Sequence, residues 1–299
     1  MIHKFRNIKI GLFFVLQIIC FTIYGGNDDL KFFDGVKRFA FKEMGDTLDA
    51  ELFTRWKTDD NPYYYLYFSQ IDKVSNARVQ TEDPYIYCKS EMEAIELGNN
   101  FNANYATYFI YKAYMNSDAL LNKRFISYRR ETQTFIILHE LTHNYILENK
   151  LDFPYEFNEA LCDVIGNYGT LKYAQTTKNI KTKTAENQLQ LNEQIFECLN
   201  TYIDLINAKP DRAKLPFYEI ECHDKLKELL KNSDGFQKDR FDDYVSTGYL
   251  LKNYYYCHNY FLIKKVFQKQ GSIKGLLEII KKMPKDVAAC TKYLENNSK

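Results

Sequence analysis

Two of the five histidines in this chain stand four residues apart, in the run His139-Glu140-Leu141-Thr142-His143. On a helix, that spacing separates two side chains by about 40° of rotation and about 6 Å of rise. Two imidazoles so placed can converge on one cation. Glu140 points about 100° away from His139, so it does not ligate. It can still act as a general base toward a water held by the ion. Neutral imidazole nitrogens suit zinc, and an open zinc site needs a third protein ligand and a free fourth position. The competing reading is an ordinary amphipathic helix whose histidines sit beside Phe135, Leu138 and Ile146 as satisfied core residues.

The third ligand must come from downstream. In the metzincin pattern, HExxHxxGxxH, it would be a histidine at position 149, with glycine at 146. The chain has Asn149 and Ile146 there, which excludes that arrangement. The downstream carboxylates are Glu148, Asp152, Glu156, Glu159 and Asp163. Glu148 lies on the histidine helix but about 140° round from His143. Asp152 and Glu156 fall in the proline-bearing segment Leu151 to Phe157. Glu159 falls in the first turns of the next helix, beside small Ala160, and can face back across the loop. Asp163 is one turn further on the same face. It suits the carboxylate that takes the second N–H of a zinc-bound imidazole, here that of His139.

HExxH followed by Asn158-Glu159-Ala160-Leu161-Cys162-Asp163 resembles the gluzincin clan of zinc metallopeptidases. The gap from His143 to Glu159 is a few residues shorter than in its thermolysin-like members. A more specific resemblance is to a family of bacterial zinc aminopeptidases with an HELAH-like helix, a short loop and a Phe-Asn-Glu run. This chain carries His139-Glu-Leu-Thr-His143 and Phe157-Asn158-Glu159, and Asn116 to Leu121 faintly resembles that family's Asp-Pro-Leu-Leu segment, with Ala119 in place of proline. The resemblance is specific over about 50 residues, and no GAMEN run for holding a substrate's amino terminus is present. It implies a zincin-like α+β fold, one catalytic Zn²⁺ bound by His139, His143 and Glu159, Glu140 as catalytic base, and Asp163 and Asn158 as supports. The implied substrate is a peptide or protein. The alternative is an inactive zincin-fold binding protein with a structural zinc or none. Gluzincins place a histidine or tyrosine downstream to stabilise the oxyanion. His258 is the leading candidate, with His223 and Tyr249 behind it, and a histidine on a helix face in an aromatic core is the competing reading. By the same resemblance, the strand preceding the zinc helix is either an edge that pairs with substrate or a buried core strand.

The elements that must hold these residues are legible from periodicity. Pro62 to Ser69 reads as an aromatic strand after the turn signal Asp60-Asn61-Pro62. Tyr85 to Cys88 reads as a short second strand, and Asn104 to Met115 as a stronger third. From about Tyr128 the apolar spacing changes to three and four, which is a helix. A second helix runs from about Asn158 through Tyr173, and Leu30 to Thr58 is mixed and partly helical. Thr176 to Lys183 reads as a solvated linker. Helices follow at Ala185–Ala208, Glu221–Lys231, Asp242–Gln270, Ile273–Met283 and Asp286–Asn296. The expectation is one domain over 26–299, with a mixed α+β half over 26–175 that carries the site and a helical half over 176–299.

Residues 1–25 differ from the rest. Lys4, Arg6 and Lys9 precede the apolar run Ile10 to Tyr24, which ends at Gly25-Gly26. This pattern reads as a secretory signal ending near Gly25, with a retained anchor or a lipoprotein signal at Cys20 as alternatives. Any membrane association then runs through this segment alone. Removing it takes three positive charges from the net +1 and leaves −2. No basic block points to nucleic acid. The other six cysteines permit disulfides in an exported chain, but their spacing sets no pairing. Cys162, inside the site stretch, is equally consistent with a buried free thiol.

Overall fold

A computed structural model of the chain describes residues 27–45, 47–59, 61–69, 85–100, 107–115, 119–208, 212–231 and 245–299. The segment read as a secretory signal, residues 1–25, lies outside these residues, as do 104–106, 116–118 and 232–244. The fold is α+β and mostly helical. The first helix, α1, is Asn27–Met44. Three strands follow: β1 Tyr63–Ser69, β2 Tyr85–Cys88 and β3 Thr107–Ala113. Helix α2, Glu91–Asn100, lies between β2 and β3, and its apolar pattern was too short to stand out in the sequence. Next come the short α3, Lys123–Ser127, and the two site helices, α4 Arg130–Glu148 and α5 Asn158–Thr176. The remainder is helical: α6 Thr182–Asn207, α7 Leu215–Leu230, α8 Thr247–Cys257, α9 Tyr260–Gln270, α10 Ile273–Ile280 and α11 Val287–Ser298. Among the described residues no helix is long and apolar enough to cross a membrane.

The sheet is antiparallel, in the order β2-β1-β3. Alternation along the strands gives it two faces. Leu66, Ile86, Cys88, Tyr108 and Ile110 pack with Ala94 and Leu97 of α2. On the other face, Tyr67 meets Tyr255 at 6.3 Å and Phe109 meets Tyr249 at 5.3 Å, both tyrosines from α8. The third strand is therefore an edge of this sheet among the described residues, with Tyr108 to Tyr111 half-buried.

Several boundaries differ from the sequence pattern for physical reasons. The linker expected at Thr176 to Lys183 shrinks to residues 177–181, because α5 runs on to Thr176 and α6 starts at Thr182. Lys178, Lys181 and Lys183 are exposed, but Ile180 is buried and pins the connection to the core. The helix expected over Asp242–Gln270 is broken after Cys257. There Asn259 turns inward, and its Nδ2 donates to the Glu156 carbonyl at 2.8 Å. Helix α7 begins earlier than Glu221, since Pro216 occupies its first turn, where a missing N–H costs nothing. All six described cysteines are free thiols.

Candidate metal centre

Helices α4 and α5 pack against each other along their length, and nearly every side of both is covered. Their close approach depends on two glycines. A Cβ on Gly166 would come within 2.8 Å of the Phe135 ring and 3.2 Å of its carbonyl, and one on Gly169 within 2.7 Å of Leu138 Cδ1. Helix α4 is anchored at its start by an Arg130–Asp29 ion pair at 2.6 Å to α1. Gln133 Nε2 also donates to the carbonyls of Phe125 and Ile126 in α3. Its end is set by Asn149, whose Nδ2 donates to the Tyr145 carbonyl, and by Lys150, which turns the chain at φ 50°. Pro154 then leads into a 3₁₀ turn, Tyr155–Phe157, with Phe157 fully buried. This short return places Glu159 in the first turn of α5, where the helix dipole favours a carboxylate.

The folded chain brings His139, His143 and Glu159 to one point. His139 Nε2 and His143 Nε2 are 3.1 Å apart. Glu159 Oε2 lies 3.3 Å from the first and 3.5 Å from the second. That oxygen is buried and has no hydrogen-bond partner, an arrangement that a bound cation would satisfy. Its other oxygen, Oε1, accepts from the Tyr155 hydroxyl at 3.2 Å. His139 Nδ1 lies 2.8 Å from Asp163 Oδ1, and Asp163 is buried. Cys162 stands behind His143, with Sγ 3.4 Å from Nδ1 and 3.6 Å from Asn158 Oδ1. His139, His143 and Cys162 form a group whose donor atoms lie within 4.8 Å of one another and which can hold a metal ion.

The electrostatics follow from this crowding. Burial alone would lower the His139 pKa. The hydrogen bond to Asp163 and the adjacent Glu159 carboxylate outweigh it and hold the metal-free imidazole up at about 10. Burial would raise Glu159, but the two histidines keep it well below the usual carboxylate range. Glu140 is half-buried, and burial raises its pKa; the charges of His139 and His143 pull it back, while Glu159 and Asp163 add to the rise. Burial first, then the surrounding carboxylates, push the Cys162 thiol well above its ordinary value.

His258 does not join this group. It is exposed at the end of α8, stacked on Tyr254 at 4.3 Å and 22°. Partial desolvation of the stacked ring lowers its pKa, and the Asp204 charge works against that; none of its described contacts reaches the site. Tyr249 is buried against Phe109, and His223 is half-buried on α7. Among the described residues, the tyrosine hydroxyl bonded to the cluster is that of Tyr155, whose ring packs on Tyr255 at 5.4 Å. Its position four residues before Glu159 was a helical-turn signal, obscured by the proline-bearing loop. The contact of Cys162 with Asn158 had a similar signal in its place one turn further along α5.

Comparison with family models, with curated proteins and with solved structures finds no match to the chain. The functional reading rests on the site itself.

Proposed function

We propose that this chain is an exported, zinc-dependent metallopeptidase of gluzincin type, built on a zincin-like α+β domain. The observation that carries the reading is the triangle of His139 Nε2, His143 Nε2 and Glu159 Oε2, with sides of 3.1, 3.3 and 3.5 Å. Ligands at about 2.0–2.1 Å around a tetrahedral ion stand about 3.3–3.4 Å apart. The three atoms therefore fit three corners of such a site, and the unpartnered Glu159 oxygen fits as one of them. Cys162 fits less well as the third ligand, since its sulfur faces Nδ1 of His143, the nitrogen turned away from this triangle.

A bound zinc supplies a Lewis acid for a peptide carbonyl and lowers the pKa of water toward neutrality. The rest is the work of the chain's own residues. Asp163 accepts the Nδ1 proton of His139 and so leaves Nε2 free to ligate. Glu140, which feels the charges of both histidines, takes a proton from the attacking water and returns it to the leaving amine. The terminal position of β3 in the sheet among the described residues suits pairing with an extended peptide.

A second reading has a specific observation behind it. With His139 held up at about 10, a proton can bridge the same cluster, as in an inactive binding protein of this fold. Elemental analysis and a peptide library screened with and without a chelator separate the two. The peptidase reading expects about one zinc per chain and chelator-sensitive cleavage. Glu140→Gln should keep the metal and lose about 10²–10⁴-fold in rate, and His139→Ala should lose the metal. Full activity in Glu140→Gln, or undiminished zinc in His139→Ala, rejects the assigned roles.

A further inference from the structure

We infer that Cys162 is the positioning residue for His143, taking the hydrogen of its Nδ1 and tying it through the thiol to Asn158. The inference rests on the reading of His143 Nε2 as a ligand atom. A neutral imidazole that presents Nε2 to a cation must carry its proton on Nδ1. The group facing that nitrogen is Cys162 Sγ at 3.4 Å. The sulfur in turn lies 3.6 Å from Asn158 Oδ1, toward which its own S–H points. A thiol is a weak donor and a weak acceptor, so both hydrogens of this short chain find a partner. Cys162 is fully buried, which keeps water from competing at Nδ1.

Asn158 and Cys162 are one turn apart on α5, as are Glu159 and Asp163. One helix therefore carries a ligand and the supports for both imidazoles. The two supports differ in kind. His139 is held by a buried carboxylate at 2.8 Å, and His143 by a neutral thiol at a longer distance. His143 is the more loosely oriented of the two, and its orientation depends on an oxidisable atom.

The test compares wild type, Cys162→Ser and Cys162→Ala by zinc competition with a chromophoric chelator, with the ¹⁵N spectra of the histidine side chains recorded alongside. Cys162→Ala should weaken zinc by about 10- to 100-fold and move the Nδ1 resonance of His143 while leaving that of His139 in place. Cys162→Ser, which keeps a donor and an acceptor, should recover most of the affinity. Asn158→Ala should give a smaller loss and keeps the test open if Cys162→Ala does not fold. Wild-type affinity with an unmoved His143 resonance in Cys162→Ala overturns the inference. Equal losses in the Ser and Ala variants do so too, since packing would then explain them. A thiolate-to-metal charge-transfer band in the cobalt-substituted protein would make Cys162 a ligand and also overturn it. If wild type takes up no zinc, the metallopeptidase reading fails, while the nitrogen spectra still decide whether Cys162 holds His143.

Discussion

His139 Nδ1 stands 2.8 Å from Asp163 Oδ1, and this contact decides which nitrogen of the ring faces Glu159. A carboxylate only accepts, so the Nδ1 hydrogen is committed to Asp163 and Nε2 is directed into the cluster. Asp163→Asn offers an amide that can donate as well as accept, and permits the wrong tautomer. Zinc affinity should fall by about 10- to 100-fold, read by chelator competition. Affinity equal to wild type would remove Asp163 from the site.

The glycine contacts between α4 and α5 set a second expectation. Gly166→Ala forces a methyl against the Phe135 ring and backbone carbonyl, and the backbone cannot step aside as a side chain does. It should destabilise the fold by about 1–3 kcal/mol and weaken zinc binding as the helices part. Gly169→Ala meets the tip of Leu138, which can rotate, and should cost less. Urea denaturation of both variants checks the order, and a larger loss in Gly169→Ala would reverse it.

Tyr155 tethers the outer oxygen of Glu159. Tyr155→Phe keeps the ring packing on Tyr255 and removes only the hydroxyl. The loss should be about 0.5–1.5 kcal/mol of metal affinity, roughly two- to tenfold, measured by the same competition. A loss as large as that of Asp163→Asn would give Tyr155 a larger role than the tether.

The metal-free protein should also show a pH signature. The folded pKa of His139, about 10, lies above its ordinary 6.5. The stability this contributes is complete below the unfolded value and is lost as pH rises through the folded one. Chelator-treated protein should therefore melt at progressively lower temperature between pH 6.5 and about 10. Zinc-loaded protein should not follow this trend, because the ion takes the place of the proton. Adding zinc to weakly buffered apoprotein at pH 8 should release protons. A flat melting profile for the apoprotein would show that the cluster does not hold the proton.

Much of this molecule is legible without coordinates. The spacing of His139 and His143, and of Glu159 and Asp163, is a local property of a helix, and local periodicity survives any tertiary context. The strand at Tyr85 to Cys88 and the two site helices were readable for the same reason. What the sequence left open depends on contacts between distant segments. The break between α8 and α9 follows from Asn259 reaching back to Glu156, and no window around Asn259 contains that partner. His258 has the residue type for an oxyanion donor, yet the helix end that bears it stacks it on Tyr254 at the surface.

The chain by itself determined which residue types could ligate an ion and which helix each rides on, because side-chain chemistry and helical pitch are fixed by covalent structure. Tertiary structure alone decided that the three donor atoms meet at 3.1 to 3.5 Å and that Cys162 stands behind His143. It also decided that Tyr155 is the tyrosine that reaches Glu159. Those outcomes depend on how closely α4 and α5 approach across the Lys150 turn and the buried Phe157. That distance is set by packing between residues far apart in the chain, through Gly166 against Phe135 and Gly169 against Leu138.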